Sequence, residues 1–174
     1  FRCLGVKAID SWDEARHGIS AYEMLKNKQF LVNTYLGKPD YWNVKPPLSF
    51  LSVAAGFVLC GYNAVGLRFF SALFYLLTVI FTGLFARKYS RLASLLTMVF
   101  LCANYFPFKA HLARAGDADS LYLLLFTLSM LCMLKVRDNG RWLYACGLFF
   151  SLAFLTKSFH AGMIAAVGGL FLLL

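Results

Sequence analysis

The stretch LRFFSALFYLLTVIFTGLFA, residues 67–86, decides the architecture. A bilayer's hydrocarbon core is crossed by a helix of about 20 predominantly apolar residues, and this stretch fits that length. Further apolar runs lie at 48–60, 92–107, 120–134, 142–156 and 161–174. Of the 174 residues, 60% are hydrophobic and only 14% charged, against about 25% charged in a soluble domain. Such hydrophobicity excludes disorder. A water-soluble globule of this size could not bury so much apolar surface. Inside a membrane the backbone must satisfy its own polar groups, so long apolar runs read as helices. The expected fold class is therefore all-α, a polytopic transmembrane helical bundle. The chain opens at Phe1 and stops within the last apolar run, so further helices are expected on both sides.

The formal charge of +9, from 17 Lys+Arg and 8 Asp+Glu, reports topology in a membrane chain, and no nucleic-acid partner is expected. Two connections are strongly basic: Arg87-Lys88-Tyr89-Ser90-Arg91 and Lys135-Val136-Arg137-Asp138-Asn139-Gly140-Arg141. The positive-inside rule puts both in the cytoplasm. The run 48–60 is too short to cross comfortably and reads as interfacial or re-entrant. Counting crossings then places residues 1–47, 61–66, 107–119 and 157–160 outside. The chain divides into an extracytoplasmic first loop, 1–47, and a transmembrane region, 48–174. One membrane face collects the acids of the first loop, Lys45, Arg68, the cluster at 114–119 and Lys157.

The first loop begins with Ser11-Trp12-Asp13-Glu14, a capping box. Trp12, Ala15, Ile19 and Tyr22 follow at helical spacing, as in an amphipathic helix lying in the membrane interface. Asp13 and Glu14 suit a helix N-terminus electrostatically and need no other role to be there. Residues 33–43 are turn-rich and aromatic. Pro46 and Pro47 then fix an extended backbone that holds Lys45 at the membrane boundary. Such a lysine is either a snorkelling anchor or a point charge for a lipid phosphate. Downstream, Asp117-Ala118-Asp119 can bind a divalent metal or cap the helix that starts near Ser120. Arg114 is a ready ion-pair partner for either acid. Lys157 and His160 lie between apolar runs, where ionisable groups are functional candidates. The five cysteines form no C-x-x-C pair and read as small buried hydrophobes.

Taken in order, Asp13-Glu14-Ala15-Arg16-His17, Tyr22-Glu23-Met24, Tyr35-x-Gly37, Tyr41-Trp42-Asn43-x-Lys45-Pro46-Pro47-Leu48, Gly61 and Arg68 resemble one family. They look like the multi-spanning GT-C glycosyltransferases. The nearest members are the bacterial dolichyl-phosphate-mannose-protein mannosyltransferase-like enzymes and the lipid A aminoarabinose transferases. Arg114-Ala115-Gly116-Asp117-Ala118-Asp119 and Leu155-Thr156-Lys157 resemble later motifs, so the likeness runs from about residue 10 to residue 157. It implies a GT-C-like bundle in the plasma membrane, with its active site on the extracytoplasmic face. It implies transfer of a sugar, usually with inversion, from a polyprenyl-phosphate donor to a lipid, glycan or protein acceptor.

By position, the resemblance makes Asp13 the base for the acceptor hydroxyl and Glu14 a group that orients the acceptor. Lys45 is matched to the donor phosphate, with Arg68, Arg114 and Lys157 as supporting cations. Asp119, more than Asp117, matches the acid that braces the first loop. Ser158-Phe159 departs from the Gly-Pro pair often found after this lysine. The residues themselves agree with such chemistry. A carboxylate can take the acceptor proton, and a cation beside the leaving phosphate stabilises its growing charge. No cofactor is then required, a divalent metal at Asp-x-Asp being the alternative. The sequence has no G-x-G-x-x-G, P-loop or H-E-x-x-H motif. The competing reading is a non-catalytic polyprenyl-lipid flippase or carrier. A transporter is disfavoured, since the charges gather at loop ends and the four prolines avoid span centres.

Overall fold

A computed structural model of the chain describes residues 4–10, 12–43, 45–109 and 112–174. Among these, α1 (Asp13–Asn27) is followed by a hairpin, β1 (Thr34–Tyr35) and β2 (Lys38–Pro39). Then come α2 (Pro47–Cys60), α3 (Ala64–Ala86), α4 (Arg91–Ala103) and the single turn α5 (Phe106–Lys109). The chain closes with α6 (Asp119–Met133), α7 (Trp142–Lys157), a 3₁₀ turn (Ser158–Ala161) and α8 (Gly162–Leu173). The helical class holds, with one addition. Leu36 and Gly37 have φ of 53° and 75°, as a two-residue type I′ turn requires, and this turn pairs two very short strands.

Helix α3 is the hub, packing on α2, α4 and α6, while α6 packs on α7 and α1 packs on α2. It starts three residues ahead of the apolar run because Asn63 caps it, accepting the N–H groups of Val65 at 2.8 Å and Gly66 at 2.9 Å. Close passage of α2 over this N-terminus needs glycine: a Cβ on Gly56 would lie 2.1 Å from the Gly66 carbonyl oxygen. One apolar cluster joins α1, α2 and α3 through Ala21, Val53, Ala54, Phe57 and Leu67. A second joins α6, α7 and α8 through Leu121, Leu125, Ala153, Ala161 and Ile164.

Among the described residues, two stretches are long and apolar enough to cross a membrane: Ala64–Ala86, of 23 residues, and Trp142–Leu173, of 32 residues. Pro47–Cys60, Arg91–Ala103 and Asp119–Met133 are shorter apolar helices. The run expected to continue to Pro107 stops at Ala103, because Asn104 leaves the helical region with ψ of 118°. Cys132 and Cys146 are buried as expected, but Cys102 is exposed and Cys60 half-buried. Cys3 lies outside the described residues.

Helix α1 turns its aromatic residues outward and buries polar ones. Trp12 is 74% exposed and Tyr22 is also exposed, whereas Glu14, His17, Ser20, Ala21 and Met24 are buried. The largely polar face turns inward because its charges find partners there, on α3 and in the loop before α6. Ala15, Ile19 and Tyr22 instead line an open apolar cavity of about 280 Å³ against Phe57 and Leu67. Ser11 lies outside the described residues, so the capping box is not seen as such. Trp12 is the N-cap and gives no side-chain cap.

Candidate active site

The first loop is fastened to the bundle by one buried ion pair. Arg68, one turn inside α3, is 1% exposed, and Glu14 is fully buried. The guanidinium donates from Nε to Glu14 Oε1 at 2.6 Å and from Nη2 to Oε2 at 2.8 Å. Its other N–H groups reach the carbonyls of Leu4, Lys7 and Ala8 at 2.7, 2.8 and 2.9 Å. All five guanidinium donors are thereby used. Glu14 also accepts the backbone N–H groups of Asp10 at 2.8 Å and Gly116 at 2.9 Å. Burial pushes the Glu14 carboxyl upward, but the Arg68 bonds and the two backbone donors prevail and hold it below its ordinary value.

Two expectations therefore change. Arg68 has no donor left for a phosphate, and Glu14 has no face open to an acceptor. The pair fixes the first turn of α1, in which Asp13 immediately precedes Glu14. Gly116 belongs to the same fastening. A Cβ there would lie 2.6 Å from Leu67 Cδ1 and 2.9 Å from the Leu67 carbonyl oxygen. Gly116→Ala is expected to lower the unfolding temperature, since overpacking costs about 1–3 kcal/mol. It also drives the Gly116 N–H away from Glu14. Thermal unfolding of the full-length protein measures this, and an unchanged midpoint would show that the close approach is not required.

The other end of the arrangement is built on Lys45. Pro46 is extended, with φ of −68° and ψ of 164°, and Pro47 opens α2. Asn33 Nδ2 holds the Lys45 carbonyl at 3.1 Å. The ammonium reaches Asp117 Oδ1 at 3.0 Å and Asp13 Oδ1 at 3.4 Å. The Asp13 side chain is 39% exposed, so this carboxylate faces open space with a cation at its back. Arg16 grips Asp40 with two hydrogen bonds, of 2.9 and 2.7 Å. Glu23 accepts the Gly37 N–H at 3.0 Å. These contacts tie the hairpin to α1 and fix the segment leading to Lys45.

The later cluster divides in two. Asp117, not Asp119, braces the first loop, because it accepts the Lys45 ammonium at 3.0 Å. Asp119 instead pairs with Lys157 across α6 and α7. The two acids of Asp-x-Asp thus serve different lysines. No group of three or more His, Cys, Asp or Glu side chains suited to a metal occurs among the described residues. Lys45, Lys157, Ser158, Phe159 and His160 line a cavity of about 310 Å³. Arg114 is elsewhere, lining a separate cavity with Leu4, Tyr75 and Ala113. Ser158 has φ of 44°, in the left-handed region that favours glycine, so the departure from Gly-Pro is carried with backbone strain.

His17 was not singled out as a site residue in the sequence. It stacks on Phe50 at 4.5 Å between ring centroids. Burial pushes its pKa down against the pull of Asp117, favouring the neutral ring. Nδ1 lies 2.9 Å from the Asp13 carbonyl oxygen. A carbonyl only accepts, so Nδ1 carries the proton. The Nε2 lone pair then faces Asp117 at 3.7 Å, with no hydrogen-bond partner among the described residues. The ring anchors the Asp13 backbone from beneath.

The fold has counterparts among known proteins. The fold matches crystal structures of ArnT from Cupriavidus metallidurans. The apo form has a TM-score of 0.80 at 23% identity. The form bound to undecaprenyl phosphate has a TM-score of 0.76 at 21% identity. Each match covers 91% of this chain and 30% of the ArnT chain. An uncharacterized protein of Aquifex aeolicus (strain VF5) is 32% identical over 175 residues, covering 98% of this chain and 34% of that protein. The chain thus spans about a third of the length of these proteins. Residues 44–174 match the dolichyl-phosphate-mannose-protein mannosyltransferase family, and the chain belongs to that family.

Proposed function

We propose that the chain is part of an integral plasma-membrane glycosyltransferase that takes a sugar from a polyprenyl-phosphate donor on the extracytoplasmic side. The observation that carries this reading is Asp13 Oδ1 standing 3.4 Å from Lys45 Nζ, beside a cavity that Lys157 also lines. The family match and the fold shared with a protein crystallised with undecaprenyl phosphate support it.

In this mechanism Lys45 and Lys157 receive the donor phosphate in the cavity. An anion there draws Lys45 off its two carboxylates, which raises the basicity of Asp13. The acceptor hydroxyl oxygen attacks the anomeric carbon from the face opposite the phosphate, and its proton passes to Asp13. The bond from the anomeric carbon to the phosphate oxygen breaks, inverting the centre. Polyprenyl phosphate leaves with a charge that Lys45 and Lys157 stabilise. The acceptor is a lipid, a glycan or a protein hydroxyl.

The test uses the full-length protein in nanodiscs with a radiolabelled polyprenyl-phosphate sugar. The parent is expected to release or transfer the label. Lys45→Ala is expected to weaken donor binding by about 10- to 100-fold, the worth of a hydrogen bond to a charged group. Tight donor binding without turnover across several donors would overturn the enzyme reading in favour of a lipid carrier.

A further inference from the structure

We propose that the end of the bundle opposite the active site carries a binding site for one anionic glycerophospholipid. This rests on the membrane placement proposed above, and not on the transfer chemistry. A cavity of about 410 Å³ opens between the ends of α3, α6 and α7, within the range of small-ligand sites, about 300–1,000 Å³. Its walls are apolar: Phe81, Leu84 and Phe85 of α3, Leu128 and Leu131 of α6, and Phe149 of α7. Phe81 and Leu84 are exposed in this part of the protein.

Cations are held on the rings at its mouth. Lys135 and Trp142 both line the cavity, and Lys135 Nζ lies 4.5 Å from the Trp142 ring centroid. Lys88 Nζ lies 3.9 Å from the ring of Phe85, another wall residue. The two connections that meet here carry Arg87, Lys88, Arg91, Lys135, Arg137 and Arg141 against a single acid, Asp138. An apolar slot under two ammonium groups matches an acyl chain below a negatively charged head group. Seating lysines against aromatic faces limits their motion, so they are ready to meet a phosphodiester. By the positive-inside rule this end faces the cytoplasmic leaflet, where each nearby Lys or Arg adds attraction to anionic lipid. Such a lipid would lock α3 against α6 and α7 from the side away from Asp13.

The test uses full-length protein in nanodiscs of phosphatidylcholine with increasing phosphatidylglycerol, and native mass spectrometry of the lipids that remain bound after extraction. The parent is expected to retain phosphatidylglycerol at least tenfold over phosphatidylcholine. Lys88→Gln with Lys135→Gln is expected to abolish that preference. Leu131→Trp, which fills the slot and keeps every charge, is expected to lose the retained lipid. Arg141→Gln, with the ring-seated lysines intact, is expected to keep it. Equal retention of both lipids by the parent, or a preference that survives both the lysine and the filling variants, would overturn the site. Failure of the parent to insert into bilayers would instead overturn the membrane placement. Sugar release measured on the same samples reports the transfer reading separately.

Discussion

Arg68→Met in the full-length protein is expected to lower the thermal unfolding midpoint sharply, the largest stability loss of the single changes considered for this chain. The substitution keeps much of the side-chain volume and removes all five donors. Glu14 is left as a fully buried carboxylate with only the Asp10 and Gly116 N–H groups, and the Leu4, Lys7 and Ala8 carbonyls lose their shared partner. Breaking a buried pair from one side costs about 3–5 kcal/mol, a large part of a typical domain's total stability. Glu14→Gln with Arg68→Met is expected to be less damaging than the sum of the two single changes, because the stranded charge is gone. Thermal unfolding in nanodiscs measures all three proteins. An Arg68→Met protein with the parent's midpoint would show that the pair does not fasten the loop. The pH dependence carries the same sign. Glu14 is held below its unfolded value of 4.5, so its contribution is present above that pH. It is lost as pH falls through the lower, folded value.

The helices were legible in the sequence to the extent that hydropathy is local. The runs at 67–86, 120–134 and 142–156 fall on α3, α6 and α7 within a few residues. Even there, the start of α3 was set by the Asn63 cap rather than by hydrophobicity. What the sequence did not disclose was which charges meet. Arg68 and Glu14 are 54 positions apart, and the Gly116 N–H is 102 positions from the carboxylate it serves. A signal for Arg68 was present, since an arginine inside an apolar helix needs a partner. Its partner could be chosen only in three dimensions. The inward face of α1 was likewise not legible, since Glu14 and His17 find their partners on other elements. The resemblance matched Asp119, more than Asp117, to the acid that braces the first loop. The turn before α6 gives Asp117 to Lys45 and Asp119 to Lys157.

Asp13→Asn is expected to produce the largest kinetic effect, a loss of about 10²- to 10⁴-fold in turnover, the usual worth of a positioned proton acceptor. The substitution is nearly isosteric, and an amide cannot take the acceptor proton. Stability should barely change, because the Asp13 side chain is 39% exposed and its charge partner is Lys45. Exposed or half-exposed pairs of this kind contribute little, commonly under about 1 kcal/mol. Donor affinity should hold or rise slightly, since Lys45 is relieved of one carboxylate and keeps Asp117 at 3.0 Å. Asp117→Asn makes the contrast. It removes a buried carboxylate that holds Lys45 in place, so donor binding is expected to change along with turnover. The separation between the two variants, kcat alone against kcat and donor Kd together, is what distinguishes a proton acceptor from a positioning group. It is measured by single-turnover transfer and equilibrium donor binding on the same nanodisc preparations. Turnover within a factor of a few of the parent in Asp13→Asn would leave Asp13 as a helix N-terminal acid and require the base to come from another residue of the full-length protein.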